Sequence, residues 1–225
     1  MQSRLAIQRD AFRATWQVRE ATGGCRSMPR ATIERGFDEE ERAQVAALFW
    51  QAFSGKLGRI MAPEMRALKF IEKALRLDHA LVARSDTGRI LGVAGFKTRH
   101  GGLISGDFSD LARVYGRFGA LWRGPLLDLM DRQLKDGQLL LDGIFVDQDV
   151  RGMGIGSALI DAVVSEARER GLTEVRLSVV DTNLRARALY ERHGFLPKGR
   201  EDTGIFASLF GFHHATTMCR PVDRR

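Results

Sequence analysis

The sequence predicts an α/β domain, and three observations carry that prediction. "LLLDGIFV" (139–146) is a near-continuous apolar run of strand length, the pattern of a strand buried on both faces. "RGMGIGS" (151–157) follows it, with three glycines alternating with apolar residues behind an arginine. It opens a helix built on Ala158, Leu159, Ile160, Val163, Val164 and Ala167. "TEVRLSVV" (173–180) then alternates as a strand, with Val175, Leu177 and Val179 on one face. Strand, glycine loop, helix, strand: the remaining elements are read around this unit.

Within 225 residues, 44% are hydrophobic and 28% charged, enough for a substantial core in one domain with extensions. No apolar run approaches the ~18 residues that span a bilayer, so no membrane partner is expected. Cys25 and Cys219 lie far apart, form no C-x-x-C pair and suit a reducing, cytoplasmic compartment; no metal is expected. Formal charge is +7 and the isoelectric point about 10.0. The basic residues are scattered and no aromatic-plus-basic run accompanies them, which argues against nucleic acid and leaves an anionic cofactor.

Residues 1–28 stand apart. Arg4, Arg9, Arg13, Arg19 and Arg26 face only Asp10 and Glu20, and Leu5, Phe12 and Trp16 recur at helical spacing. Such a start resembles an organelle targeting segment, but it also reads as a poorly ordered extension ahead of Met28. The second reading is adopted, with the domain proper at 29–225.

"ATIERGF" (31–37) reads as the first strand. Asp38 and Glu41 have capping-box spacing before a helix carrying Val45, Leu48, Phe49 and Phe53 on one face. Gly55 and Gly58 weaken its end. Pro63 opens a second helix with Met65, Leu68, Ile71, Leu75 and Leu77 as its apolar residues. "HALVARS" (79–85) and "RILGVAGFK" (89–97) are strands joined through Asp86-Thr87-Gly88. In 101–137, Phe108, Leu111, Tyr115, Phe118 and Trp122 recur at 3–4 spacing, and Gly124-Pro125 is expected to end that helix before a short Leu-rich one. Arg113, Arg117 and Arg123 fall on its exposed remainder. After the second strand of the glycine-loop unit, a helix runs from about Asn183 to His193 and stops at Gly194, and "HHATTMCR" (213–220) is the last strand.

The glycine loop carries the chemistry. N–H groups at a helix start are unpaired, the helix dipole adds positive charge, and glycines admit an anion close to the backbone. A nucleotide-triphosphate loop needs Lys-Ser/Thr after its last glycine, and Gly156 is followed by Ser157-Ala158. A dinucleotide fingerprint needs its glycines directly after the strand, and Asp147 to Val150 intervene. Arg151-Gly152-Met153-Gly154-Ile155-Gly156 instead fits an acyl-CoA loop, Arg/Gln-x-x-Gly-x-Gly/Ala, at every position.

With "IFVDQDV" before the loop and "DTNLRARALYERHGF" (181–195) after the next strand, residues 139–196 resemble the core of the GNAT superfamily of acyl-CoA N-acyltransferases. Residues 31–97 are compatible with that family's first strand, two helices and hairpin; residues 1–28 and the helical insert 101–137 lie outside its pattern. One departure is that "DQDV" lacks the proline common before the loop.

The resemblance implies a mixed, mostly antiparallel sheet of about six to seven strands flanked by helices, with the insert between strands three and four. It implies an N-acetyltransferase that moves an acetyl group from acetyl-CoA to a primary amine, small-molecule or peptide. A non-catalytic acyl-CoA sensor of the same fold is the alternative. It implies that Phe145 and Val146 offer backbone groups to the pantetheine arm and that Arg151, Gly152, Met153, Gly154, Ile155 and Gly156 wrap the pyrophosphate. Asn183 would lie beside the pantetheine, although it also suits a helix N-cap. Tyr190 would protonate the departing thiolate, or simply pack beside Leu189.

The base stays open. Asp142, a carboxylate in a largely apolar strand, is the first candidate. His213 and His214 face opposite sides of their strand, so at most one reaches the cleft, and Glu34 follows them. The aromatic stripe of the insert reads most simply as a packed helix face; its functional versions are a roof over the acceptor pocket or a homodimer contact.

Overall fold

The computed structural model describes residues 14–16, 31–130, 134–202, 204 and 212–223. Strand β1 (Ala14–Trp16) pairs antiparallel with β2 (Ala31–Arg35). Trp16 therefore belongs to an edge strand and not to a helical stripe; the rest of 1–30 lies outside the described residues. Helix α1 (Arg42–Met61) follows a single helical turn at Glu39–Glu41, where the Glu41 carboxylate accepts the Asp38 N–H at 2.7 Å, as the capping spacing predicts. Next come α2 (Glu64–Ala74), β3 (Ala80–Arg84), β4 (Ile90–Lys97), α3 (Phe108–Met130) and β5 (Gln138–Val146). The chain closes with α4 (Ile155–Glu169), β6 (Glu174–Val180), α5 (Leu184–Arg192), β7 (Leu196–Asp202) and β8 (His214–Pro221).

The strands form one eight-stranded sheet in the order β1-β2-β3-β4-β5-β6-β8-β7. Every neighbouring pair is antiparallel except β5–β6, which is parallel. This is the mixed, mostly antiparallel architecture expected, with α3 as the insert between β4 and β5. Two strands go beyond the sequence reading. One is β1; the other is β7, which is exposed along its whole length and carries Pro197, Gly199 and four charged residues in place of an alternating pattern.

Each face of the sheet has its own core. On one, Leu159 and Val163 of α4 pack on Ile33, Leu81, Leu177 and Met218. On the other, α1, α2 and α3 bury Val45, Phe70, Ile71 and Leu111 with Val82, Val93 and Phe145. Two apolar faces covered by helices make this a three-layer domain.

The helical layer departs from the sequence expectation in three places. Helix α1 runs through Gly55 and Gly58 to Met61, because Ile60 and Met61 are buried and its last carbonyls find partners in α3. Tyr115 Oη donates to Met61 O at 2.6 Å, and Arg123 donates to Ile60 O at 2.7 Å and Ala62 O at 3.1 Å. A helix end satisfied in this way tolerates interior glycines worth ~1 kcal/mol each. Arg123 is thus half-buried, its guanidinium 4.2 Å over the Tyr115 ring, and is not part of an exposed basic remainder.

In α2, Ala67, Phe70, Ile71 and Ala74 face inward and Met65 is exposed. In α3, Gly124-Pro125 does not end the helix; the non-helical residue is Gly116, at φ 76° and ψ 163°. That break shifts the helical phase. Leu111 and Tyr115 before it are buried, whereas Phe118 and Trp122 after it turn outward.

Candidate active site

The parallel pair β5–β6 is the key to the site. Its register covers only Gln138↔Glu174, Leu139↔Val175 and Leu140↔Arg176. Beyond Leu140 the strands part, so the outer half of β5 pairs with β4 alone and that of β6 with β8 alone. A wedge opens between them, lined by backbone. Asp147 N–H donates to Leu91 O at 2.9 Å, directly across the β4–β5 ladder. In an antiparallel ladder such hydrogen-bonded positions alternate with positions whose N–H and C=O point away. Phe145, two residues back, therefore turns its backbone groups to β4, and Ile144 and Val146 turn theirs to the wedge. The expectation that Phe145 offers its backbone there is corrected: Phe145 contributes its ring, 2% exposed and edge-on to Phe49 at 5.7 Å.

A β-bulge shapes β5. The register jumps from Gly95↔Gly143 to Phe96↔Leu141, leaving Asp142 as the extra residue. Leu139, Ile144 and Val146 belong to the core on the α4 face, Leu141 belongs to that core and also lines the cavity, and Leu140, Asp142, Gly143 and Phe145 line the cavity on the other face. A regular strand would put Asp142 on the same side as Ile144 and Val146. The bulge re-aims it, exposed, into the cavity.

The cavity, of about 1270 Å³, reaches Ser178 and Val180 of β6 as well as β5, so it opens into the wedge. Aromatic walls come from α1 and α2 through Phe49, Phe53 and Phe70, and Phe108 and Leu121 of the insert close one side. The insert thus supplies part of the cavity wall.

The glycine loop lies at the end of β5. A turn at Gln148–Val150, capped by the Asp147 carboxylate on Asp149 N–H at 3.0 Å, leads into it. The Arg89 guanidinium, 2.6 Å from Asp147, holds that carboxyl below its ordinary range. Gly152 and Gly154 have φ of 86° and 84°, left-handed values that glycine adopts without strain. Met153 and Ile155 turn inward, Ile155 to 1% exposure, which leaves backbone on the outside. Helix α4 starts here, and its first N–H groups have no intrahelical partner. Arg151 donates from Nε to Val146 O at 3.0 Å, so it bridges the loop to the wedge. Arg185 of α5 adds a cation that sequence reasoning passed over: its Nη2 stands 3.9 Å from where a Gly152 Cβ would be. Only its place in the fold, not its spacing in sequence, shows this.

Asn183 caps α5, accepting Ala186 N–H at 3.1 Å. Tyr190 is half-buried, 5.9 Å from Phe195, and burial pushes its hydroxyl up to about 12. Among the other base candidates, Glu34 lies on β2, 3.2 Å from Arg84. His213 is exposed, and His214 is half-buried with Nδ1 3.4 Å from Asp202. None of these three lines the cavity, and Asp142 does. Among the described residues, no group of three or more His, Cys, Asp or Glu side chains is placed to hold a metal ion.

Comparisons with known proteins agree with this geometry. N-acetyltransferase 8 of Homo sapiens is 35% identical over 101 residues, covering 45% of this chain and 42% of the relative. Mycothiol acetyltransferase of Beutenbergia cavernae is 48% identical over 77 residues, covering 33% of this chain and 25% of the relative. The matched part thus spans less than half the length of these curated relatives. A solved structure described as an acetyltransferase superposes with a TM-score of 0.56 at 22% identity, covering 85% of this chain and 99% of that one, which shows the fold. Residues 42–195 match the family described as Acetyltransferase (GNAT) family, so the match takes in both helices of the cavity wall, the insert, the wedge and the glycine loop, and the chain belongs to that family.

Proposed function

We propose that the protein transfers an acetyl group from acetyl-CoA to a primary amine bound in the cavity. The observation that carries this reading is the wedge between β5 and β6, which meets the cavity on one side and the glycine loop at its end. The residues present fit the cosubstrate. Ile144 and Val146 turn strand-like donors and acceptors toward a gap that has lost its neighbouring strand, which suits an extended, amide-bearing pantetheine arm. The N–H groups at the start of α4, with Arg151 and Arg185 beside them, suit a pyrophosphate. Asn183 uses its oxygen for the helix cap and keeps its amide N–H groups for the arm.

Acetyl-CoA supplies a thioester carbonyl to the amine. An alkylamine has a pKa near ~10 and reaches the site protonated, so a base must take that proton, and Asp142 is the carboxylate turned into the cavity at the wedge. As the N–C bond forms and the C–S bond breaks, Tyr190 is a proton donor for the sulfur. With its hydroxyl pushed up to about 12, it is a neutral phenol at physiological pH. An N–H on the wedge side of β5 is the donor for the developing oxyanion. The protein is assigned to the cytoplasm, in keeping with a buried free thiol at Cys219.

A second reading, a non-catalytic acyl-CoA sensor, draws on the structural duties of Asn183 as a cap and Tyr190 as a packing residue. One experiment tests both. Acetyl-CoA should raise the melting temperature, Gly154→Glu should abolish that rise, and an amine screen should release thiol. A rise without thiol release from any amine selects the sensor; no rise removes both readings.

A further inference from the structure

We propose that the acceptor is a primary amine on an apolar, ring-bearing body that has no carboxylate of its own, an arylalkylamine in chemical class. This deepens the acetyl-transfer reading above and rests on it. Among the described residues, the charged lining comprises four carboxylates, Asp107, Asp142, Glu201 and Asp202, against one lysine, Lys97. That is an acidic chamber in a chain of formal charge +7.

Asp107 accepts the Asp110 N–H at 2.8 Å at the start of α3. Glu201 accepts from Thr217 at 3.0 Å and has Arg176 at 3.5 Å. Asp202 has His214 at 3.4 Å and a side chain 66% exposed. Asp142 stands at the wedge. An ammonium is therefore drawn in, and an acceptor with its own carboxylate meets like charge from Asp142 at the wedge and from Glu201 and Asp202 of β7 elsewhere on the cavity wall.

The rest of the chamber is apolar. Phe49 and Phe53 lie 4.7 Å apart at the wedge, Phe70 backs them, and Phe108 and Leu121 of the insert close the outer wall. A ring buries its faces here, while a polyamine would leave this wall without an apolar partner and give up hydration for little return.

The test is a matched panel with the full chain and acetyl-CoA, read by thiol release: 2-phenylethylamine, phenylalanine and spermidine. Phenylethylamine should exceed each of the others in kcat/KM by about tenfold or more, the scale on which one like-charge or apolar contact discriminates. Equal or better turnover of phenylalanine or spermidine overturns the proposal. Glu201→Gln with Asp202→Asn should narrow the phenylethylamine-to-phenylalanine ratio severalfold. Phe108→Ala, at a half-exposed position, should raise KM for phenylethylamine severalfold and leave the acetyl-CoA melting shift intact; an unchanged KM overturns the aromatic wall. A melting shift without turnover of phenylethylamine defeats this inference and leaves cofactor binding standing, whereas loss of the shift in the wild type defeats the acetyl-transfer reading itself.

Discussion

Tyr115 of the insert donates its hydroxyl hydrogen to the carbonyl of Met61, 54 residues earlier, at 2.6 Å. The bond joins the insert to the end of α1, and these two helices make adjoining walls of the cavity. Tyr115→Phe leaves a buried carbonyl without its donor and should cost about 1–2 kcal/mol of unfolding free energy in urea. Arg123→Ala, which strips Ile60 and Ala62 as well, should cost at least as much. A Tyr115→Phe protein as stable as the wild type would show that the bond does not hold the insert in place.

The chain has two tyrosines, and burial pushes both hydroxyls up to about 12. Folded-state values above the unfolded value of ~10 mean that folding favours the protonated phenol. This contribution to stability is complete below pH ~10 and is lost as pH rises from ~10 toward 12. Absorbance at 295 nm should show almost no tyrosinate in the folded protein at pH 10, and about half of each tyrosine ionised once it is unfolded at that pH. Half-ionisation near pH 10 in the folded state would contradict the burial of these groups.

Tyr190→Phe should lower kcat by ~10- to 100-fold, within the range for loss of a positioned proton donor, while acetyl-CoA affinity changes less than threefold. The wild-type rate should show no descending limb from this group below pH ~10. Unchanged turnover would leave Tyr190 as a packing residue against Phe195.

Asp142→Asn should reduce kcat/KM by ~100-fold at neutral pH, as expected when a general base is lost, and should flatten the ascending limb of the pH–rate profile. The acetyl-CoA melting shift should survive, since the wedge is built of backbone. Retention of the ascending limb in this variant would transfer the role to another group.

Glu166 is fully buried on α4, 2.6 Å from Arg35 Nε of β2 and 2.6 Å from Arg170 Nε. Removing Glu166 takes this partner from Arg170 and leaves Arg35 its ion pair with Glu169 at 2.7 Å. Glu166→Ala should cost roughly 3–5 kcal/mol in urea unfolding, and a cost below 1 kcal/mol would show that the two arginines find water instead.

The glycine loop was legible in sequence because positive φ and close backbone approach demand glycine at fixed places, and Gly152 and Gly154 take those places. The strands of the glycine-loop unit were legible through their apolar runs. The orientation of Asp142 was not. A single extra residue in β5 reverses which face it serves, and a bulge leaves no mark on a period of two. Nor was the reach of α1, which depends on partners for its last carbonyls supplied from 54 and 63 residues away. In α3 the turn falls at Gly116 rather than at Gly124-Pro125, since a proline disturbs only the preceding turn and the helix resumes, whereas a left-handed glycine resets the phase. β7 carries no alternation because neither of its faces is buried.

The three-rung pairing of β5 and β6 has a further consequence. Outer strands normally carry the hazard of an open hydrogen-bonding edge, which other chains can extend. This sheet keeps two such edges in its middle, facing each other across the wedge, with α1 and the insert on one side and α4 on the other. A slender amide-bearing chain can thread between them, but a whole foreign strand cannot lie flat there. The fold thus converts what would be an aggregation-prone rim into a slot that admits guests by thickness.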